Sequence, residues 1–92
     1  MIVRILGEGQ LDVPEAELDR LNELDDALAR AVDGDDESAF GSALAALLGR
    51  VREVGVPMPD DTLVPSDLVL PSADAGLAEV RDLLGEEGLI PG

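Results

Sequence analysis

The pattern of apolar and polar residues predicts two short β-strands at the start of the chain. Residues 2–6 form a mainly apolar run rich in β-branched side chains, Gly7-Glu8-Gly9 follows it, and residues 10–13 alternate between polar and apolar. β-branched residues and alternation are typical of strands, and glycines between two strands allow the positive φ of a tight turn. We therefore predict an N-terminal β-hairpin.

A first helix is predicted over residues 14–32. Pro14 suits a first helical turn, and Glu15 and Glu17 lie where negative charge stabilises a helix N-terminus. Apolar residues then recur at the spacing of one helical face, namely Leu18, Leu21, Leu24, Leu28, Ala31 and Val32.

A second helix follows the segment Asp33-Gly34-Asp35-Asp36, because an aspartate there can cap it. Its apolar stripe ends near Val54 and consists of Phe40, Leu44, Leu47, Val51 and Val54. Gly55 is expected to close the helix in the left-handed conformation, and the prolines after it prevent continuation. The short link predicts that the two helices pack antiparallel.

The segment 55–72 contains too many prolines for a helix, namely Pro57, Pro59, Pro65 and Pro71. Within it, Leu68-Val69-Leu70 suits a third strand, which we place at an edge of the hairpin. A proline-rich connection of this length is also a candidate functional segment.

A third, shorter helix closes the chain. Ser72 or Asp74 can cap its start, and Gly85 or Gly88 can end it. Residues 89–91 are expected to fold back onto the core. The predicted inner face of this helix carries Leu77, Val80, Leu83 and Leu84.

Length and composition indicate one small domain without covalent cross-links. The 92 residues suit a single α+β domain over residues 1–92. Because only 1% of the residues are aromatic, the core is expected to be aliphatic, with Phe40 as its only ring. The absence of Cys and His removes disulfides, the usual zinc sites and most nucleophile–base pairs. We expect no cofactor and no enzymatic activity.

The charge of the chain narrows the classes of partner. It has 21 acidic and 6 basic residues and a formal net charge of -15, which repels nucleic acid and anionic lipid alike. No stretch suits a signal peptide or a membrane span. We therefore expect a cytoplasmic protein whose partner is another protein.

One acidic motif resembles the start of a calcium-binding loop. Asp33, Asp35 and Glu37 alternate as such a loop requires, but Ser38 stands where the loop needs Gly and Leu44 where it needs Glu. A capped turn between two helices explains the same residues.

The glycines of the hairpin suggest a dinucleotide-binding loop only superficially. After Gly7 and Gly9, the third glycine of that motif is missing at Asp12, and no helix is predicted to begin there. A hairpin turn is the better interpretation.

The surface of the first helix combines acidic and apolar residues. Glu23, Asp25 and Asp26 are predicted to face away from the leucine stripe as a solvated acidic surface, with Asp25 at its border. The stripe itself is first of all core. Its arc is wide, however, and we expect part of it, including Leu24, to remain available to a partner helix.

Several stretches are similar to one known family. They are residues 1–10 (MIVRILGEGQ), Pro65-Ser66-Asp67-Leu68, residues 87–92 (EGLIPG), residues 21–25 (LNELD) and residues 51–55 (VREVG). On these residues the chain resembles the PspA-associated proteins, PspAA, over its whole length.

The resemblance implies an accessory protein of phage shock protein A, a coiled-coil protein of the envelope-stress response. The leading hypothesis is a non-catalytic adaptor that binds a PspA-like protein and is recruited to the inner face of the membrane only through it. We expect the contact to involve Arg4, Gln10, Leu24, Pro65, Ser66, Asp67 and Leu68.

Two other functions stay open. The chain is alternatively a self-associating structural domain whose surplus apolar stripe pairs with a second copy, which a size-exclusion mass would reveal. An enzyme is the third hypothesis, and its form would be a carboxylate-only site for magnesium or calcium.

Overall fold

The fold, taken from a computed structural model, is a mixed β-sheet with helices on one face. The structure describes residues 1–59 and 64–84. The predicted α+β class is confirmed. In chain order, the elements are β1 Ile2–Ile5, β2 Gly9–Asp12, a 3₁₀ turn Glu15–Glu17, α1 Leu18–Asp33, α2 Glu37–Val54, β3 Val56–Pro57, β4 Leu68–Leu70 and α3 Leu77–Leu84.

The sheet has the strand order β3-β2-β1-β4 within the described residues. The predicted hairpin is confirmed, since β1 and β2 pair antiparallel with Arg4 opposite Gln10. The predicted third strand is confirmed as β4, which lies at an edge and runs parallel to β1, with Val69 beside Arg4. The strand β3 is not predicted from the sequence; it pairs antiparallel with β2 at the other edge.

The hairpin turn explains the two glycines that resemble a nucleotide loop. Gly7 has a φ of 86° and Gly9 a φ of 112°. The amide of Glu8, between them, donates a hydrogen bond of 2.9 Å to the carbonyl of Ile5. A side chain with a Cβ disfavours such φ values, so the turn geometry alone requires glycine.

Prolines lie beside both edge strands. Pro57 belongs to β3 and Pro59 follows it, whereas Pro65 and Pro71 lie on either side of β4. Proline lacks an amide hydrogen and therefore cannot donate to a further strand. Directly after β3, the amide of Met58 points to β2, so the neighbouring Pro57 faces the open edge and limits the addition of another chain there.

The two long helices begin and end largely where the sequence predicts. The predicted first helix is divided, because residues 15–17 form a 3₁₀ turn before α1 starts. Asp36 is the aspartate that caps α2, and its Oδ1 accepts a hydrogen bond of 3.0 Å from the amide of Ala39. Just before it, Asp35 adopts the left-handed conformation with a φ of 52°, which Asp tolerates better than most residues.

The antiparallel packing of α1 and α2 is confirmed by a contact between their far ends. The Nε atom of Arg50, near the end of α2, lies 2.9 Å from Oε1 of Glu17, directly before α1. Since the helices are joined at the opposite ends, this contact requires them to run in opposite directions.

The core lies between the sheet and the helices and is almost wholly aliphatic, with Phe40 as its ring. The prediction for Asp25 is wrong, because this residue is buried with 3% of its surface exposed. Glu23 and Asp26 are exposed, as predicted. The buried cluster comprises Val3, Ile5, Leu11, Val13, Leu21, Leu28, Ala31, Val32, Phe40, Leu44, Leu47, Leu48, Val51, Leu68, Leu70, Ala75 and Val80.

Gly55 ends α2, but the predicted left-handed conformation is wrong. Its φ of -86° and ψ of 149° are extended, and the chain continues directly into β3. A Cβ at this position would lie 2.6 Å from the carbonyl oxygen of Val51 and 3.0 Å from Cβ of Leu11. Glycine is therefore required by close packing of α2 against β2 and not by a left-handed φ.

The third helix begins later than predicted. It starts at Leu77, so neither Ser72 nor Asp74 lies at its N-terminus, and the carbonyl of Ser72 instead accepts a turn hydrogen bond from Ala75. Val80 is buried, as predicted. The predicted helix end at Gly85 or Gly88 and the tail 89–91 lie outside the described residues, as do the side chains of Leu83 and Leu84.

Candidate partner-binding face of the sheet

Two of the predicted contact residues lie together on the outer face of the sheet. Val3, Ile5 and Leu11 point into the core, and side chains alternate along a strand. Arg4 and Gln10 therefore point to the opposite face, where the antiparallel register places them side by side.

Gln10 acts as a clamp for the segment that leads into β4. Its Nε2 donates hydrogen bonds of 2.9 Å to the carbonyl of Val64 and 2.8 Å to Oγ of Ser66. Its own carbonyl accepts from the amide of Met58 at 3.0 Å. Residues 64–66 are thereby held beside β2, although β1 separates β2 from β4.

Asp67 fixes the start of β4 against β1. Its Oδ2 accepts a hydrogen bond of 2.8 Å from the amide of Ile2, and its amide donates one of 2.8 Å to the carbonyl of Ile2. Pro65 is exposed, whereas Leu68 is buried in the core. Intramolecular contacts thus explain most of the Pro65–Leu68 motif.

Leu24 does not share a surface with these residues. It lies in α1, on the helical layer, where it is half-buried and packs against the core. The structure therefore brings Arg4, Gln10 and Ser66 together and leaves Leu24 apart.

Arg4 is left exposed between apolar side chains. Leu6 and Val69, which the sequence analysis did not single out, are 41% and 45% exposed. Val69 stands beside Arg4 in the parallel register. Leu6 follows β1 and its amide still donates a hydrogen bond to the carbonyl of Leu70, so strand alternation places its side chain on the same face as Arg4. We call Arg4, Leu6 and Val69 the Arg4 face. Strand alternation could have placed Leu6 on it, but only the fold brings Val69 there.

The arginines differ in their partners. Four arginines form an ion pair with a carboxylate, namely Arg20, Arg50, Arg52 and Arg81. Among the described residues, no such pair involves Arg4. A guanidinium retains five hydrogen-bond donors in this state, so Arg4 can bind a carboxylate or carbonyl of another molecule.

One ion pair joins the hairpin turn to α2. Nε of Arg52 lies 2.9 Å from Oε1 of Glu8, and a second hydrogen bond joins the same side chains. The hydrogen bond from Arg52 lowers the pKa of the Glu8 carboxyl, and the same contact raises the pKa of Arg52. The turn is thus held on α2 by a charge-assisted, bidentate contact.

Neither a metal-binding cluster nor a membrane-spanning helix is found in the described part of the chain. No group of three His, Cys, Asp or Glu side chains is placed there to hold a metal ion. Nor does any helix among residues 1–59 and 64–84 have the length and apolar character needed to cross a membrane.

Comparison with known proteins gives a single result. No curated protein and no solved structure matches the chain significantly. A family model described as PspA-associated protein matches residues 1–92. The chain belongs to the PspAA family of PspA-associated proteins.

Proposed function

We propose that this chain is a non-catalytic adaptor that binds a PspA-family protein. The family name gives the association, and the observation that carries the proposal is the Arg4 face. There, an arginine without an ion pair among the described residues lies between two exposed apolar side chains. An apolar surface with one charged anchor is typical of protein-binding sites, in which Arg is enriched.

The charge of the molecule supports a protein partner over lipid or nucleic acid. A net charge of -15 repels anionic head groups and phosphates. In this proposal, the adaptor remains in the cytoplasm and reaches the inner face of the membrane through its partner. It acts by occupancy: it covers part of the partner and thereby shifts the partner's assembly or its membrane engagement.

The test is a titration of the chain into a purified PspA-family protein, followed by calorimetry. Arg4→Glu should raise the Kd at least about tenfold, since a lost charged anchor costs about 1.4 kcal/mol or more. Arg30→Glu is the matched control, because Arg30 is also exposed and has no ion pair with a described residue. Both variants change the net charge equally.

Three results would count against the proposal. If the wild-type chain shows no binding, the adaptor function is wrong. If Arg4→Glu and Arg30→Glu weaken binding equally, only net charge matters and the Arg4 face is not the contact. If sedimentation shows that the chain associates only with itself, it is a self-associating structural domain.

A further inference from the structure

A second concave surface lies beside α2. A groove of about 530 Å³ separates α2 from residues 73–77, which lead into α3. Phe40, Leu44 and Leu48 line it on the α2 side, and Leu77 lines the other wall. Concave sites of this size, largely apolar with a few polar groups, are typical binding sites.

Small residues form the exposed ridge of α2 beside this groove. Gly41 and Ala45 line it one turn apart, and Gly49 continues the same four-residue spacing. Glycine within a helix is destabilising relative to alanine. A Cβ at Gly41 or Gly49 would meet no atom within 4 Å, so packing within the chain does not require glycine there. A low ridge of this kind permits the close approach of another helix.

The rim of the groove is acidic. Glu37 and Asp74 line it and form no ion pair within the described residues, whereas the basic residue that lines it, Arg52, is already bound to Glu8. A second copy of this chain would bring a further net charge of -15 to the site. Charge complementarity therefore favours a basic partner over self-association.

The groove continues towards the Arg4 face. A smaller depression of about 400 Å³ is lined by Leu6 and Glu8, and it shares Ala73 and Asp74 with the groove. Leu6 also belongs to the Arg4 face. The depression therefore connects the lining of the groove to one residue of the Arg4 face.

We infer that the groove binds an amphipathic helix of the PspA-family partner. The apolar stripe of that helix enters between α2 and residues 73–77, and its Lys or Arg side chains face Glu37 and Asp74. This inference rests on the proposed function and adds to it the part of the partner that is recognised and the surface that recognises it.

The decisive variants are Ala45→Arg and its neighbour Ala46→Arg. Both alanines are exposed on α2, but only Ala45 lines the groove. With a purified PspA-family protein, Ala45→Arg should raise the Kd at least about tenfold and Ala46→Arg less than about twofold. Replacing Glu37 by Gln and Asp74 by Asn should make the affinity less dependent on salt, because the screened attraction is lost.

The outcomes separate the inference from the proposed function. If the wild-type chain binds and both arginine variants retain its affinity, the groove is not the site, although the adaptor function stands. If the wild-type chain does not bind the PspA-family protein, the adaptor function is wrong. A synthetic amphipathic peptide with a leucine stripe and flanking lysines then tests whether the groove binds a basic helix.

Binding of that peptide, lost in Ala45→Arg and absent for a glutamate-flanked peptide, would support a groove for basic helices. No binding of either peptide would overturn it. The remaining possible occupant of the groove is a second copy of this chain, and sedimentation of the wild-type chain and of Ala45→Arg tests it. A wild-type dimer that Ala45→Arg abolishes would assign the groove to the second copy and overturn the inference.

Discussion

At the scale of the residue, Gln10 joins two parts of the chain that are more than fifty positions apart. We predict that Gln10→Ala lowers the free energy of unfolding by about 1–2 kcal/mol, because two hydrogen bonds are lost and the carbonyl of Val64 loses a donor. Urea denaturation followed by circular dichroism measures this change.

Arg4→Ala is the control for Gln10→Ala, since Arg4 is its neighbour on the same face. The side chain of Arg4 makes no hydrogen bond or ion pair within the described residues, so its replacement should change stability by less than about 0.5 kcal/mol. Equal losses in the two variants would show that the clamp does not stabilise the fold.

Asp25 shows where residue-level prediction fails. It follows Leu21 by four positions and precedes Leu28 by three, which places it on the buried line of α1. Because aspartate is an ionisable residue, its side chain is expected in solvent, whereas the helical spacing places it on the buried face. Burial of a carboxyl group is tolerated only with a suitable partner, and a rule based on charge alone does not identify such a partner.

At the scale of the element, the cap of α2 is a single side chain. We predict that Asp36→Ala lowers the free energy of unfolding by about 1 kcal/mol, because the amide of Ala39 loses its acceptor. Asp33→Ala should be neutral or slightly stabilising, since an acidic residue at the end of α1 opposes the helix dipole. Thermal unfolding of both variants compares them, and a larger loss for Asp33→Ala would contradict the assignment.

The contact between Glu8 and Arg52 makes the docking of the hairpin turn on α2 depend on pH. The folded pKa of Glu8 lies below its ordinary value of 4.5. The contact therefore stabilises the fold fully above that value and is lost as the pH falls through the folded pKa. Glu8→Gln should lower stability at pH 7 and reduce its dependence on pH below 4.5.

Urea midpoints at a series of pH values measure this dependence. Glu79→Gln is the control, because Glu79 is exposed and makes no ion pair within the described residues. A wild-type pH profile in Glu8→Gln would show that the contact adds nothing to stability. The effect should be small, since both side chains are partly exposed.

Long elements could be predicted from the sequence, whereas very short ones could not. The helices α1 and α2 carry several repeats of the apolar pattern, so their existence and pairing follow from sequence. By contrast, β3 has only two residues, too few to show any alternation. The start of α3 was misplaced because Ser72 and Asp74 are both residue types that favour helix N-termini. In the structure the carbonyl of Ser72 accepts a turn hydrogen bond from Ala75, and the helix begins only at Leu77.

At the scale of the whole molecule, the candidate site could be predicted only in part. Arg4 and Gln10 were singled out from sequence, but their neighbours Val69 and Ser66 reach them only because β4 pairs with β1. The groove beside α2 was missed, since one of its walls belongs to residues 73–77, far from α2 in sequence. Small residues at four-residue spacing on α2, Gly41, Ala45 and Gly49, were the available signal.

The net charge of -15 is a property of the whole molecule. Its radius of gyration is 12.5 Å, whereas the Debye length is about 30 Å at 0.01 M salt and about 3 Å at 1 M. At low salt each charge therefore interacts with nearly all others in the molecule, and at high salt only close neighbours interact. Because acidic residues outnumber basic ones by 21 to 6, screening should relieve more repulsion than attraction.

We therefore predict that the Tm rises steadily as KCl increases across this range. A variant with Asp19→Asn, Asp26→Asn and Glu79→Gln is the control, since all three residues are exposed and make no ion pair within the described residues. It should have a higher Tm at low salt and a shallower rise, because part of the repulsion is already removed. A flat wild-type response would mean that the ion pairs of Arg50, Arg52 and Arg81 lose as much on screening as the acidic surface gains.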